Sequence, residues 1–403
     1  MNNSILIGRN AMDIEKLKSS ILDLYIASLK FLPVKKRIVF ESHPEFTCNT
    51  YAVYRYLIDE YHIDDKYKIV WVVGDPDKYK NSSLKNTSFI KFWQKTDPLM
   101  TKVNYHRTLA GAKALIYGNR LLGKYRDDQL SMCLQHGMPL KASHGAYCIK
   151  DKCDKCLCVS EFFTENYSRD FEVSPEKLFY MGFPRNDYLF SERDVRREMG
   201  LDSFDKVIIW LPTYRKHTSV LSSKFNIEGS ATGIPTINTN DEILKVDAWL
   251  QENNCCLILK PHPAQQIGME LRGRLKNFKI ITNDDLKELD IQLYELLGKT
   301  DALVTDYSSV FYDYLLTDKP IGLTVDDLDS YTSARGFVYD DPKEVLKGEY
   351  INDTDELISF FESVKRGEDA HLDERTEVKN KIHKYQHGGS AKMIGDYIME
   401  LIK

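Results

Sequence analysis

Ala302-Leu303-Val304-Thr305-Asp306-Tyr307-Ser308-Ser309-Val310-Phe311-Tyr312-Asp313-Tyr314-Leu315-Leu316 is the stretch whose reading decides the fold. Ala302–Thr305, short, apolar and β-branched, reads as a buried strand. Asp306-Tyr307-Ser308-Ser309 reads as a polar turn, and Ser309–Leu316 as a helix. Strand, polar turn and helix in that order make up the unit of an open α/β sheet, where ligands bind at the strand ends. Free N–H groups at the helix start favour phosphate, and the Ser308 and Ser309 hydroxyls add donors. Asp313, one turn beyond Ser309, is placed to face the same side. The same serines could equally be a plain helix cap.

Outward from this stretch, apolar runs alternate with helical patterns. Arg37–Glu41, Lys68–Val73, Ser88–Trp93, Ala114–Tyr117, Leu130–Leu134, Cys156–Val159 and Leu178–Met181 read as strands. Glu161–Asp170 reads as a helix capped by Ser160. After the charged junction Ser191–Lys206, strands are expected at Val207–Leu211, Cys256–Leu259, Lys279–Thr282 and Ile321–Val325. Helices are expected at Asp241–Glu252, Ile291–Leu297, Asp353–Val364 and Ala391–Ile402. Short continuous apolar strands fit parallel sheets covered on both faces. The expected fold class is α/β, with two Rossmann-like domains facing across a cleft. The expected division is 1–36 as an amphipathic helix, 37–195 as the first domain and 196–403 as the second, whose closing helix can cross back. The polar segment Lys216–Asn240 reads as a long loop beside the site.

Composition narrows the partners. A chain of 403 residues is too long for one core, and a net charge of -5 gives no reason to expect nucleic acid. Met1–Asn10 lacks the apolar core of a secretory signal, and no run is long enough to span a bilayer. The eight cysteines are not spaced as a disulfide framework, so a reducing cytoplasm is expected. Cys153, Cys156 and Cys158 suggest a zinc site, but Cys156–Val159 reads equally as a buried strand. Asp13–Leu32 carries an apolar stripe (Ile14, Leu17, Ile21, Leu24, Tyr25, Leu32) among Lys16, Lys18, Lys30, Lys35, Lys36 and Arg37. Such a helix either lies on an anionic membrane or packs on its own domain.

Four further polar motifs follow expected strands: Gln135-His136-Gly137-Met138-Pro139-Leu140-Lys141, Gly182-Phe183-Pro184-Arg185-Asn186-Asp187, Leu211-Pro212-Thr213-Tyr214-Arg215 and Leu259-Lys260-Pro261-His262-Pro263. His136 at a strand end suits a general base, and Gly137 permits positive φ or the close approach of a ligand. Two prolines hold His262 in a stiff, extended segment. Arg185 has the fork that clamps phosphate.

Taken in order, HGxPLK, GxPRND, PTYR, HP and TDYSSxxxD resemble the CDP-glycerol glycerophosphotransferase family of teichoic acid primases and polymerases. Arg335-Gly336-Phe337 resembles its later RGF segment. The resemblance implies a two-domain GT-B fold. It implies transfer of glycerol or ribitol phosphate from CDP-glycerol or CDP-ribitol to a lipid-linked teichoic acid or capsular polymer, with release of CMP. By motif, His136 would be the base and His262 would stabilise the pyrophosphate. Gly137, Lys141, Arg185, Pro212, Thr213, Lys260, Ser308, Ser309 and Asp313 would line the substrate pocket. Gln135 and Met138 depart from the tryptophan and threonine usual in the family, which bears on substrate choice. No cofactor or metal ligand set is implied, and dependence on Mg²⁺ stays open. Such an enzyme would be cytoplasmic and peripheral to the membrane. A GT-B glycosyltransferase using a nucleotide sugar and an inactive nucleotide-binding scaffold are the alternatives.

Overall fold

The computed structural model describes residues 20–142, 149, 152–213, 232–261 and 273–403. His262, Tyr214, Arg215 and most of the loop expected at 216–240 lie outside the described residues, as does the start of the basic helix.

Two parallel sheets form the frame. The first takes β1 (Lys35–Glu41), β2 (Lys68–Val73), β3 (Thr87–Lys91), β4 (Ala112–Tyr117), β5 (Leu130–Cys133), β6 (Lys155–Cys158) and β7 (Leu178–Tyr180), in the order β3-β2-β1-β4-β5-β6-β7. The second takes β8 (Lys206–Leu211), β9 (Cys255–Leu259), β10 (Phe278–Ile280), β11 (Ala302–Thr305), β12 (Ile321–Thr324) and β13 (Glu349–Ile351), in the order β10-β9-β8-β11-β12-β13. Both orders reverse direction once, at β1/β4 and at β8/β11. Such reversals open a crevice at the carboxyl ends of the strands.

Burial follows the apolar runs. Ile38, Val39 and Phe40 on β1 are fully buried, as are Ile208, Ile209 and Trp210 on β8. The helix Asn240–Glu252 starts at a capping box made by Thr239 and Glu242. It turns Ile243, Val246 and Leu250 onto Leu257 and Leu259. Helix Thr354–Arg366 covers the same core with Leu357, Phe360 and Phe361.

Several boundaries move, for local reasons. Ser160 does not cap a helix, because its hydroxyl bonds to the Ile382 carbonyl; the segment begins as a 3-10 turn, Glu161–Phe163. Thr282 is not strand but the cap of helix Asn283–Glu288. The helix expected over Ser309–Leu316 is α-helical only at Val310–Tyr314 and then tightens to 3-10. Cys133 and Cys156 pair side by side on β5 and β6, and the Cys153, Cys156 and Cys158 thiols are buried. No cluster of metal-ligating side chains occurs among the described residues.

Residues 20–28 are helical and lead into a 3-10 turn, Leu29–Phe31. Leu29 turns inward, whereas Ile21, Leu24 and Phe31 are more than half exposed. Of the described stripe, Ile21 and Leu24 are thus left on the surface, while Tyr25 and Leu32 are partly buried. Among the described residues no helix is long and apolar enough to cross a membrane.

The chain leaves the first sheet through Pro184–Phe190, builds the second, and returns. The returning helix Ser390–Leu401 packs on helix Cys48–Tyr61 of the first lobe. Asp187 accepts the Ser390 and Ala391 N–H groups at 3.0 and 2.8 Å, capping it. Asp396 accepts the Tyr56 and Tyr61 hydroxyls at 2.9 and 2.8 Å. A Cβ on Gly395 would lie 2.4 Å from the Tyr56 ring. Gly395→Val should therefore prise this helix off and cost about 1–3 kcal/mol, read as a lowered Tm in thermal denaturation.

Candidate active site

His136 owes its position to its neighbours. Gln135 takes a left-handed φ of 54°, which swings the chain out of β5. Asn49, at the start of helix Cys48–Tyr61, bonds the Leu134 and Gln135 carbonyls at 2.9 and 3.0 Å and holds that turn. His136 Nδ1 lies 3.4 Å from the Gly118 carbonyl, which favours the proton on Nδ1 and makes Nε2 the basic nitrogen. Burial, then the Arg185 guanidinium, lower the His136 pKa. The ring is thus neutral, as a base must be, at ordinary pH.

Gly137 is required for a different reason from either one expected. Its φ is not positive, and what approaches it is the second lobe. A Cβ there would lie 2.8 Å from Ser309 Oγ. The His-Gly motif and the Ser-Ser motif therefore meet directly. Beside them the lobes are sewn together by backbone: Ala142 N–H donates to the Gly336 carbonyl at 3.1 Å, and Val338 N–H to the Leu140 carbonyl at 3.0 Å. Lys141 and the Arg335-Gly336-Phe337 segment thus belong to one antiparallel clasp.

Of the other motifs, Thr213 follows β8, Ser308 and Ser309 follow β11, and Lys260 follows β9 beside β8. Buried Asp306 accepts the Thr213 N–H at 2.9 Å and its hydroxyl at 2.8 Å, which fixes the Pro212-Thr213 turn. Lys260, at the end of β9, is buried, and burial alone lowers its pKa to about 8. Among the described residues no carboxylate offsets it, and a desolvated cation of this kind attracts an anion. The Val310–Tyr314 helix has five residues, so Ser308 and Ser309 offer hydroxyls and turn N–H groups rather than a long helix dipole.

Arg185 and Asp313 are drawn out of the pocket set. Arg185 Nη2 meets Asp313 Oδ2 at 2.6 Å, and both are buried. Arg185 Nη1 donates to the His136 carbonyl, and Tyr294 adds its hydroxyl to Asp313 Oδ2 at 2.7 Å. Burial disfavours the Arg185 charge, but Asp313 and then Tyr294 outweigh it and push its pKa up. Its Nη atoms are thus taken by protein groups, and Asp313 faces Arg185 rather than the cleft. Asn49 and Tyr294 escaped the sequence reading, since each acts through contacts distant in the chain; Asp306 reads as part of the polar turn, but its bonds to Thr213 do not show there.

Residues 24–400 match the family described as CDP-Glycerol:Poly(glycerophosphate) glycerophosphotransferase. The chain belongs to that family. The teichoic acid glycerol-phosphate transferase of Staphylococcus aureus (strain NCTC 8325 / PS 47) is 25% identical over 402 residues, covering 91% of this chain and 93% of its own. The ribitol-phosphate polymerase TarL of the same strain is 23% identical over 391 residues, but this chain spans only 63% of TarL. A solved structure of the wall teichoic acid polymerase TagF superposes with a TM-score of 0.73 at 22% identity, covering 98% of this chain and 95% of that one. The fold of this glycerophosphotransferase is therefore GT-B-like.

Two outcomes test the geometry. Arg185→Lys keeps the charge but loses the fork. It should lower Tm and kcat by loosening His136, with donor KM little changed; a raised KM alone would return Arg185 to the pocket. Lys260 must be protonated to attract phosphate, so kcat/KM for donor should fall as pH rises through about 8. The acid limb, set by His136, should lie below 6.5. Lys260→Arg should move the alkaline limb upward, and Lys260→Met should lower kcat/KM about 10–100-fold, the worth of a charged hydrogen bond.

Proposed function

We propose that this family member transfers glycerol or ribitol phosphate from a CDP-alditol to a terminal hydroxyl of a lipid-linked teichoic acid or capsular polymer. The observation that carries this reading is the contact of Gly137 with Ser309, which sets the candidate base against the candidate phosphate cradle. His136 takes the acceptor proton as the acceptor oxygen attacks the phosphorus bearing the alditol. The bond from that phosphorus to the bridging oxygen breaks, and CMP departs with the oxygen. Lys260, Thr213, Ser308 and Ser309 neutralise and orient the departing phosphate, and His262 joins them on the strength of its motif. Transfer of this kind asks a protein chiefly for positioning and charge stabilisation.

A lipid-linked acceptor requires a surface contact. Ile21, Leu24 and Phe31 are exposed, and Lys30, Lys35 and Lys36 lie close to them in the chain and are exposed as well. That combination suits an anionic cytoplasmic leaflet.

His136→Ala should reduce CMP release about 10²–10⁴-fold at saturating donor, the usual worth of a general base. CMP release from CDP-glycerol or CDP-ribitol, with none of UDP from UDP-sugars, separates this reading from a glycosyltransferase. Replacing Ile21, Leu24 and Phe31 together by Asp should abolish pelleting with anionic liposomes and leave turnover on a soluble acceptor intact.

A further inference from the structure

The first lobe has a crevice of its own, at β1/β4, and none of the family motifs falls in it. Three residues gather there: His43, two residues past β1, and Asn119 and Arg120, just past β4. The backbone beneath them is rigid. Buried Glu41 accepts the N–H groups of Gly118, Asn119 and Arg120 at 3.3, 3.0 and 2.9 Å. Asn119 Oδ1 accepts the His43 N–H at 3.0 Å, which leaves its amide nitrogen as a donor. The Arg120 guanidinium lies 4.6 Å over the Phe92 ring, and its Nη2 comes within 3.5 Å of His43 Nδ1. With Nδ1 facing a guanidinium, the imidazole carries its proton on Nε2. The nearby carboxylate of Glu45 is engaged by the Gly74 N–H at 2.8 Å.

The crevice thus presents a guanidinium, an imidazole N–H and an amide NH₂; Glu41 and one oxygen of Glu45 bond backbone N–H groups, although both carboxylates still lie within electrostatic reach of Arg120. Donors of this kind fit a singly charged phosphodiester. Its place matters as much as its chemistry. Gly118, whose carbonyl faces His136 Nδ1, is two residues from Arg120. An alditol phosphate chain carries its last phosphodiester a few bonds from the terminal hydroxyl that reacts.

We propose that His43, Asn119 and Arg120 form a phosphodiester subsite that grips the last phosphate of the acceptor and so delivers its terminal hydroxyl to His136. The proposal rests on the transferase reading above and names the acceptor side of the same cleft. It makes the enzyme select acceptors already bearing an alditol phosphate over neutral ones.

The test uses the full chain and a soluble di(glycerol phosphate) acceptor, beside an analogue whose internal phosphodiester is a neutral methyl triester. Arg120→Met keeps the packing on Phe92 and removes the charge; His43→Ala alters an exposed ring. Each variant should raise KM for the charged acceptor about tenfold or more, an amount typical of a lost charged hydrogen bond. KM for CDP-alditol and for the neutral analogue should stay within about twofold of wild type. Calorimetric binding of the charged acceptor should weaken in parallel. Unchanged KM and unchanged binding in both variants would overturn the subsite. Failure of the transferase reading shows separately, as no CMP release by wild type from either CDP-alditol, and the binding comparison still decides the subsite in that case.

Discussion

The ion pair between Arg185 and Asp313 is the constraint on which the cleft depends. It joins residues from opposite lobes, and nothing polar in solvent screens it. Removing two charges from water is expensive, and the cost is offset only if every remaining donor and acceptor finds a partner. The site meets that demand in part, for Arg185 Nε and Asp313 Oδ1 are buried without a hydrogen-bond partner among the described residues. Tyr294 donates to Asp313 Oδ2, and Asn49 Oδ1 accepts the backbone N–H of Arg185 at 3.2 Å, which fixes the chain beneath the guanidinium. The guanidinium also stacks near Phe183 and Tyr294, with ring centroids at 5.1 and 4.9 Å. Because Arg185 also holds the His136 carbonyl, the joint between lobes and the placing of the base are one piece of chemistry. A salt bridge of this kind specifies an arrangement more than it stabilises a fold.

The two lobes share one strand order, the first with an extra edge strand, yet their crevices are lined by different residues. In the second, Asp306 is spent on stiffening the Thr213 turn, and Lys260 is a buried cation that no carboxylate among the described residues balances. In the first, Glu41 is spent on the loop after β4 while Arg120 and His43 face outward. In both, a buried carboxylate accepts backbone N–H groups and so fixes the chain just past a strand end.

Much of this was legible in the chain. Strands such as Lys68–Val73 and Val207–Leu211 are recognisable because a strand buried on both faces must be apolar throughout. Short polar motifs after those strands pointed to the strand ends, and the structure brings His136, Gly137, Thr213, Lys260, Ser308 and Ser309 to them. What stayed hidden depends on contacts remote in sequence. Ser160 looks like a cap until Ile382 claims its hydroxyl. Arg185 reads as a phosphate clamp until Asp313, 128 residues away, is seen against it. Gly137 reads as a residue for positive φ or a ligand's approach, but its missing side chain makes room for Ser309. Local patterns report local geometry; they carry no record of which distant partner reaches a group first.

The return of helix Ser390–Leu401 to the first lobe has a consequence for biosynthesis. Topologically the second lobe is an insertion into the first. Made vectorially on a ribosome, the second lobe has all of its strands in hand while its host still lacks one wall. Until residues 390–401 emerge, Tyr56, Tyr61 and the apolar surface that Ile394 and Ile398 later cover stand open to water, and Asp187 waits without the amides it caps. The nascent protein therefore passes through a stage in which its inserted part is finished and its founding part is not, a stage prone to aggregation and to capture by chaperones.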